Sequence, residues 1–411
     1  MKASAVRRWG GSADIKTIFL RWTGMRAIFH RGYWLAASLY FVVVAHLSPS
    51  ELVLLGTAMG ITLVLANVPI GVWSDAFSRK WPMVLGHFFL GAGMMMTGVV
   101  TVFPLLLTTQ VLWGLGWACL SGADVAWLTD ELDCPDRIAA VLAARARWDL
   151  GGGAVGMTAF GVLGWAGGLS PAIIGAGAAM ILLGVFVAVW FPENHFSLIR
   201  GRRWTATLSV FSRGIALARG DRQIMLVFAA TMIVYGAGEA DRLFPRRLVD
   251  IGYPQPQVLW YTALGIGSLT LGVIALRVIE AHIVGAAPRI YALACLVGLG
   301  ALLALANAPN GLIGGFGVLL VFGVTLPVTR AVGMIWVNGR VASEVRATMH
   351  SFLGQAETMG EIASGFTLAL VAGLTGIPAA LTISAALLGC ASLMVGRSGA
   401  AKFSRSRFRS A

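Results

Sequence analysis

Apolar stretches of roughly 20 residues recur along the whole chain, and each is long enough to cross the ~30 Å hydrocarbon core of a bilayer. Of the 411 residues, 57% are hydrophobic and only 12% are charged, whereas a soluble domain has about 25% charged residues. Stretches such as Leu52–Val68 and Ala172–Val189 are apolar on every face, unlike the alternating strands of a membrane barrel. The composition therefore predicts an all-α integral membrane protein.

The apolar pattern predicts twelve transmembrane helices arranged as two six-helix bundles. The predicted spans cover approximately residues 33–48, 52–73, 82–103, 105–129, 138–165, 169–191, 223–247, 257–278, 288–307, 311–337, 347–374 and 377–396. The predicted organisation is an N-terminal bundle (1–195), a cytoplasmic linker (196–221), a C-terminal bundle (222–396) and a basic cytoplasmic tail (397–411). A partly amphipathic segment at 15–30 lies outside the first span as a candidate interfacial helix.

Lysine and arginine lie almost entirely on one side of these spans. The short turns LSPSE, GWAGGLSP, NAPNG and LTGIP contain neither, and only Arg242, Arg246 and Arg247 of the 31 basic residues lie toward the outer end. The positive-inside rule then places both termini in the cytoplasm, which predicts a multi-pass protein of the cytoplasmic membrane. The net charge of +13 fits this orientation and contact with anionic membrane lipid, and it does not indicate nucleic-acid binding.

The sequence contains no pattern typical of an enzyme or a metal site. Cys119, Cys134, Cys295 and Cys390 are far apart and form no CxxC or Cys/His cluster, so we expect neither a disulfide nor a metal. No GxxxxGK[ST] loop occurs, so ATP is not expected to act directly. We therefore expect neither a cofactor nor enzymatic activity. We also expect the protein to be a monomer.

The stretch GVWSDAFSRKWPM, residues 71–83, places several charges between the second and third predicted spans. It resembles the corresponding loop of the major facilitator superfamily. The pattern of that loop begins with Gly, any three residues and Asp. It continues with a basic residue, any one residue, a second Gly and two basic residues. Gly71, Asp75, Arg79 and Lys80 fall in register, while Ala and Ser replace the inner basic residue and the second Gly. Three further stretches are similar to a drug-efflux-like bacterial branch of this superfamily: SGADVAWLTDEL, GAGEADRLFPRRL and VRATMHSFLGQAETMGEIASG.

This resemblance implies two bundles around a central cavity, lined mainly by spans one, four, seven and ten, whose access alternates between the two sides of the membrane. It also implies a secondary transporter that moves a small, hydrophobic molecule outward in exchange for protons. Uptake of a polar metabolite or flipping of a lipid-like molecule is the alternative within transport. A non-transporting membrane receptor is a remote alternative, since the chain carries no soluble output domain.

The charged loop predicts a latch at the cytoplasmic end of the spans. The predicted gating residues are Gly71, Asp75, Arg79, Lys80, Asp130 and Glu131. Gly71 would allow another helix to pack close against span two. Asp75 can accept hydrogen bonds from Arg79 or from a helix start, and the two basic residues can pair with the two acids that end span four. The alternative is a topology anchor that only holds the loop in the cytoplasm.

Ionisable residues inside the spans are the second candidate group, because each costs at least ~2.5 kcal/mol on insertion. The predicted substrate or proton pathway consists of Asp124, Trp117, Tyr235, Glu239, Asp241, Arg242, Arg330, Glu357 and Glu361. Asp124 and Arg330 are predicted to form a cytoplasmic gate or polar floor, unless each pairs within its own half. Trp117 and Tyr235 can stack on an apolar or cationic substrate, although packing explains most tryptophans.

Two pairs of acidic residues are candidates for proton coupling. Glu239 can pair with Arg242, since the two residues are at i and i+3 of a helix. Asp241 then lies on another helical face and is available to the cavity. The alternative is that these residues belong to a salt-bridge cluster on the exterior. Glu357 and Glu361, at i and i+4, repel each other, which favours a proton on one of them, unless cytoplasmic-side arginines neutralise them. Small residues repeated every four positions, such as Gly152 and Gly156, predict closely packed helix faces.

Overall fold

The computed structural model describes residues 12–132, 135–195, 216, 220–341 and 346–407. Every regular element within these ranges is helical, as predicted. Most of the predicted linker, Cys134 and the last four residues of the predicted tail lie outside the described residues. The helices of the first half are α1 Ser12–Val43, α2 Pro49–Phe77, α3 Lys80–Thr97, α4 Phe103–Leu120, α5 Ala123–Leu132, α6 Pro135–Gly167 and α7 Leu169–Trp190.

Within the described residues, the second half continues with eight α-helices and two short irregular turns. The helices are α8 Arg222–Gly238, α9 Phe244–Asp250, α10 Gln257–Glu280, α11 Ile283–Ala306, α12 Gly311–Leu320, α13 Leu326–Asn338, α14 Arg346–Thr375 and α15 Ile377–Arg407. A 3-10 turn, Glu239–Leu243, joins α8 to α9, and a π-helical turn, Val321–Thr325, joins α12 to α13. The first part of the predicted basic tail is therefore the end of α15.

Ten stretches of described helix are long and apolar enough to cross a membrane. Two further helices, α1 and α3, complete the twelve that the sequence predicts, and their charged or polar residues lower their hydropathy. His87 of α3 is fully buried, where it accepts a hydrogen bond from Trp22 Nε1 at 3.0 Å. The polar group of α3 is thus satisfied inside the protein, which permits a membrane helix of modest hydropathy. The predicted all-α membrane fold is confirmed.

The chain divides into two compact units, one formed by residues 1–37 with 62–200 and the other by 38–61 with 201–411. The tip of the α1–α2 hairpin therefore belongs to the second unit. There, Ser50 Oγ donates a hydrogen bond to the carbonyl of Ala369 at 2.9 Å. Gly365 of α14 lies so close to Thr57 that a Cβ atom would meet the Thr57 hydroxyl. Small residues on both helices make this contact possible.

The first helix is much longer than predicted. A start at residue 33, with a separate interfacial helix at 15–30, is wrong, because α1 is continuous from Ser12 to Val43. Its first half is held in the interior of the first unit, where Phe19 and Trp22 are fully buried. Packing of these aromatic rings compensates for the charges that interrupt the apolar pattern, so the helix does not end where the sequence becomes polar.

The close packing predicted at Gly152 and Gly156 is confirmed, and the structure shows that the partner helix is α1. A Cβ atom on Gly152 would lie 2.5 Å from the carbonyl oxygen of Gly24, and a Cβ on Gly156 would meet the carbonyl of Ile28. The missing side chains let the two helix backbones approach each other, as small residues commonly do between membrane helices.

Three spans are interrupted next to charged residues. Between α4 and α5, Gly122 has φ +81°, a conformation that glycine adopts at little cost, and Asp124 follows two residues later. The 3-10 turn contains Glu239 and Arg242, and the π-helical turn ends shortly before Arg330. Irregular turns in membrane helices leave backbone groups to be satisfied by neighbours and often mark functional sites.

We predict that Gly360→Ala destabilises the second unit by about 1–3 kcal/mol, the usual cost of overpacking. A Cβ at this position of α14 would meet the carbonyl oxygen of Met232 on α8 and would lie 3.1 Å from Gly236 N. Gly354→Ala on the same helix is the matched control, since its Cβ would meet no described atom within 4 Å. Thermal unfolding in detergent measures both variants, and equal midpoints would contradict the prediction.

Candidate functional site

The charged loop of the first unit surrounds the start of α3. The Arg79 guanidinium contacts the Asp75 carboxylate, and its Nε lies 3.4 Å from Asp130 Oδ2. The arginine thus bridges the end of α2 to the acidic end of α5, in the way that the sequence predicts for these three residues. Because the Asp75 side chain is half exposed, the free energy of this network alone is small.

Glu193 is the main acceptor of this region, and the sequence reasoning missed it. Its carboxylate accepts hydrogen bonds from Ser78 Oγ at 2.8 Å, from Arg79 N at 2.7 Å and from Lys80 N at 3.2 Å. A carboxylate at the exposed N–H groups of a helix start is favourable.

Two predictions about this loop are wrong. Glu131 does not pair with Arg79 or Lys80; it accepts hydrogen bonds from the backbone N–H groups of Asn194 at 2.7 Å and His195 at 2.9 Å, because the chain after α7 passes beside it. Gly71 is exposed, and a Cβ there would meet no described atom within 4 Å. The close helix approach predicted at Gly71 is therefore not present in this structure.

Asp124 lies at the start of α5 and has two partners in its own unit. One carboxylate oxygen accepts a hydrogen bond from Val125 N at 2.7 Å, and the other lies 2.5 Å from Arg145 Nη2 of α6. Asp124 is 5% exposed, so the ion pair is largely withdrawn from solvent. Arg330 also has a partner in its own unit, and its role in a shared polar floor with Asp124 stays a prediction.

Trp117 lies beside polar residues of α1 that the sequence reasoning did not select. Its ring stacks on His30 with 5.2 Å between centroids, and His30 is equally close to Trp113. The guanidinium of Arg26 lies over the Trp117 ring at 5.7 Å and forms a 3.4 Å ion pair with Asp149. These residues were missed because the first span was predicted to begin at residue 33.

The second unit gathers the remaining predicted residues into one cluster. Its members are Tyr235, Glu239, Asp241, Arg242, Arg330, Glu357 and Glu361, which interact through ion pairs or close electrostatic contacts. They come from α8, the 3-10 turn, α13 and α14. The sequence spacing alone indicated only the local pairs.

The 3-10 turn brings three of these charges together. Arg242 Nε lies 3.6 Å from Glu239 Oε1 and 3.7 Å from Asp241 Oδ1. The pairing of Glu239 with Arg242 is confirmed, but the separation of Asp241 from Arg242 is wrong, because that prediction assumed an α-helix. Gly56 of α2 lies against the cluster, since a Cβ there would meet Glu239 Oε1 and Arg242 Nε.

The other part of the cluster is centred on Glu357. Arg330 Nη2 lies 3.3 Å from Glu357 Oε2, and the Tyr235 hydroxyl forms a hydrogen bond with the same carboxylate. The Arg330 side chain is 60% exposed, whereas that of Glu357 is 15% exposed. Glu361, one turn further along α14, lies within electrostatic range of Arg242 and Arg330. A charge as exposed as Arg330 in a membrane span is stable beside water and not beside lipid.

Comparisons with known proteins define the class. The sequence profile described as Major Facilitator Superfamily matches residues 23–365, so the chain belongs to this superfamily of membrane transporters. The resemblance seen in the charged loop is thereby confirmed at the level of the superfamily. The protein is a multi-pass membrane transporter and not an enzyme. No curated protein sequence matches the chain.

Solved structures agree with this fold at low sequence identity. The crystal structure of the nucleoside transporter NupG superposes with a TM-score of 0.75 at 15% identity, covering 93% of this chain and 98% of that one. A bacterial homologue of the human lysosomal transporter Spinster, inward-facing and unoccupied, gives 0.69 at 14% identity and 98% coverage of both chains. The human organic anion transporter MFSD10 gives 0.57 at 15% identity, with 94% and 100% covered.

We predict that Asp124 and Arg145 stabilise the first unit as a pair. Asp124→Asn or Arg145→Gln leaves a buried charge without its counter-charge and should each lower the free energy of unfolding by about 3 kcal/mol. The double variant should lose much less than the sum of the two single losses. Equilibrium unfolding in detergent measures the cycle, and strictly additive effects would contradict a direct interaction.

Proposed function

We propose that the protein is a proton-coupled secondary transporter that moves a small, hydrophobic molecule out of the cell. The observation that carries the coupling is the charge balance of the cluster in the second unit, where four carboxylates face two arginines. Fully ionised, this group would hold two uncompensated negative charges among membrane helices, where unpaired charge is costly. A proton on one carboxylate removes part of that cost.

Glu361 is the residue that we assign to the transported proton. Glu239 has Arg242 beside it, and Glu357 has both Arg330 and Tyr235. Glu361 forms no hydrogen bond or ion pair with the described residues, and it lies near charges of both signs. A carboxylate in that setting can alternate between its protonated and ionised forms when its neighbours move.

The loop network around Arg79 fits a cytoplasmic latch in this scheme. Its links to Asp75, Asp130 and Glu193 join α2, α3, α5 and the chain after α7. The distribution of Lys and Arg supports a cytoplasmic membrane location with both termini inside, and a monomer contains every residue of the scheme.

We expect net transport in proteoliposomes to follow an imposed pH gradient and to reverse when the gradient is reversed. The compound to be assayed is chosen by a growth screen against lipophilic compounds. It is the compound for which deletion and overexpression of the protein change the sensitivity of the cells most. Glu361→Gln should lower gradient-driven transport about a hundredfold, the scale of a positioned proton-transfer group. It should keep exchange of labelled for unlabelled substrate, because exchange needs no net proton movement.

Glu51→Gln is the control for that experiment. Glu51 is a carboxylate at the outer end of α2, where it accepts hydrogen bonds from Ser48 N and Ser48 Oγ at 2.8 and 2.7 Å. Its loss should leave gradient-driven transport unchanged. Wild-type transport that is indifferent to the gradient would refute the coupling, and full gradient-driven activity of Glu361→Gln would refute the assignment of the proton.

Uptake of a polar metabolite is the second candidate, and the 60% exposure of the Arg330 side chain favours it. An accessible guanidinium is a suitable partner for an anionic or polar group of a substrate. If this candidate is correct, cells should show saturable uptake of such a metabolite, and Arg330→Gln should raise its KM by about tenfold, the loss expected for one charge-assisted hydrogen bond. An unchanged KM would favour hydrophobic export.

A further inference from the structure

The first unit contains a second polar centre, on α1, which the proton pathway does not use. Arg26 is 8% exposed and makes a single hydrogen bond with the described residues, a long one of 3.4 Å to Asp149. Its Nε is buried and donates no hydrogen bond to any described atom. A guanidinium has five N–H donors in a fixed planar fork, so Arg26 retains the capacity to bind an oxygen acceptor.

The charges around Arg26 favour a negative ligand. Asp124 and Asp149 lie within electrostatic range, and so do Arg31 and Arg145. Counting Arg26 itself, three arginines face two aspartates. Arg31 is exposed and forms no hydrogen bond or ion pair with the described residues. An anion would balance the local charge, whereas a cation would be repelled.

Aromatic rings flank the same guanidinium. Arg26 lies over Trp22 at 5.2 Å and over Trp117 at 5.7 Å. Trp117 and His30 are half-buried and stack on each other, with an interplanar angle of 26° and 5.2 Å between centroids. Neither imidazole nitrogen of His30 hydrogen-bonds a described residue. A third flat ring can extend such a stack, and aromatic pairs prefer offset or edge arrangements at this spacing.

We propose that Arg26, His30, Arg31 and Trp117 form a subsite for a planar aromatic anion. The ring of the ligand extends the stack that Trp117 and His30 form, and its carboxylate accepts hydrogen bonds from the Arg26 fork, with Arg31 adding positive charge. This inference rests on the proposed transport function and names the chemical class of its substrate, an amphiphilic aromatic acid. The subsite is built entirely from the first unit.

The test is calorimetric titration of the detergent-purified full chain with 2-naphthoate. Two matched probes separate the contributions of charge and ring: 2-naphthamide keeps the ring without the charge, and decahydro-2-naphthoate keeps the charge without the aromatic plane. We expect 2-naphthoate to bind at least about tenfold more tightly than either, the difference made by one charge-assisted or stacking contact.

Variants assign the binding to the named residues. Arg26→Gln should weaken 2-naphthoate binding by about 10- to 100-fold, and Trp117→Leu by about 3- to 10-fold. Arg26→Lys retains the charge without the planar fork and should fall between wild type and Arg26→Gln. Trp165→Leu is the control, since this tryptophan of α6 is 57% exposed and outside the subsite. If Arg26→Gln does not fold, Arg26→Lys and Arg31→Gln decide, and both should weaken binding.

Any of three results would overturn the inference. The first is equal affinity for 2-naphthoate and 2-naphthamide, and the second is a higher affinity for 2-naphthylmethylamine than for 2-naphthoate. The third is an unchanged affinity for 2-naphthoate in both Arg26→Lys and Arg31→Gln. Failure here is distinguishable from failure of the proposed function. Absent 2-naphthoate binding with intact gradient-driven transport refutes only the subsite. Binding that depends on Arg26, together with transport that ignores the pH gradient, refutes only the coupling.

Discussion

The cost of an unpaired charge among membrane helices is the constraint on which the other features depend. Asp124 is held by Arg145 and a helix start, and Glu357 is held by Arg330 and Tyr235. Such pairs are expensive to desolvate, so their net contribution to stability is small compared with the cost of removing one partner and leaving the other charge buried. A transporter can use this property, because a proton or a charged ligand changes the balance of each group.

Irregular backbone accompanies these charges in both units. Gly122 turns the chain before Asp124, and the 3-10 turn aligns Glu239, Asp241 and Arg242 at a spacing that an α-helix would not give. The π-helical turn stands before Arg330. Irregular backbone in a membrane helix is tolerated where protein or water supplies hydrogen-bond partners. The breaks therefore coincide with the segments that carry these charged residues.

The two clusters differ in the sign of their net charge. The cluster in the second unit has an excess of carboxylates, which suits the binding of protons. The charged residues around Arg26 in the first unit have an excess of arginines, which suits the binding of an organic anion. If both proposals hold, substrate and proton are bound by different units, and each unit supplies one sign of charge. Coupling would then depend on how movement of the chain changes both clusters together.

The sequence by itself determined the helical membrane fold, the superfamily and most of the charged candidates. Roughly 20-residue apolar runs can satisfy their backbone only as helices in lipid, and local spacing sufficed to pair Glu239 with Arg242. Only the tertiary structure decided that α1 begins near residue 12 and that Glu193 accepts hydrogen bonds at the start of α3. It also decided that Glu131 accepts hydrogen bonds from the backbone after α7. These features depend on contacts between residues far apart in the chain. Spacing along one helix carries no information about such contacts. From the sequence alone, a charged residue such as Arg26 indicates the end of a membrane span, and only its partners in the structure show that it is buried within a helix.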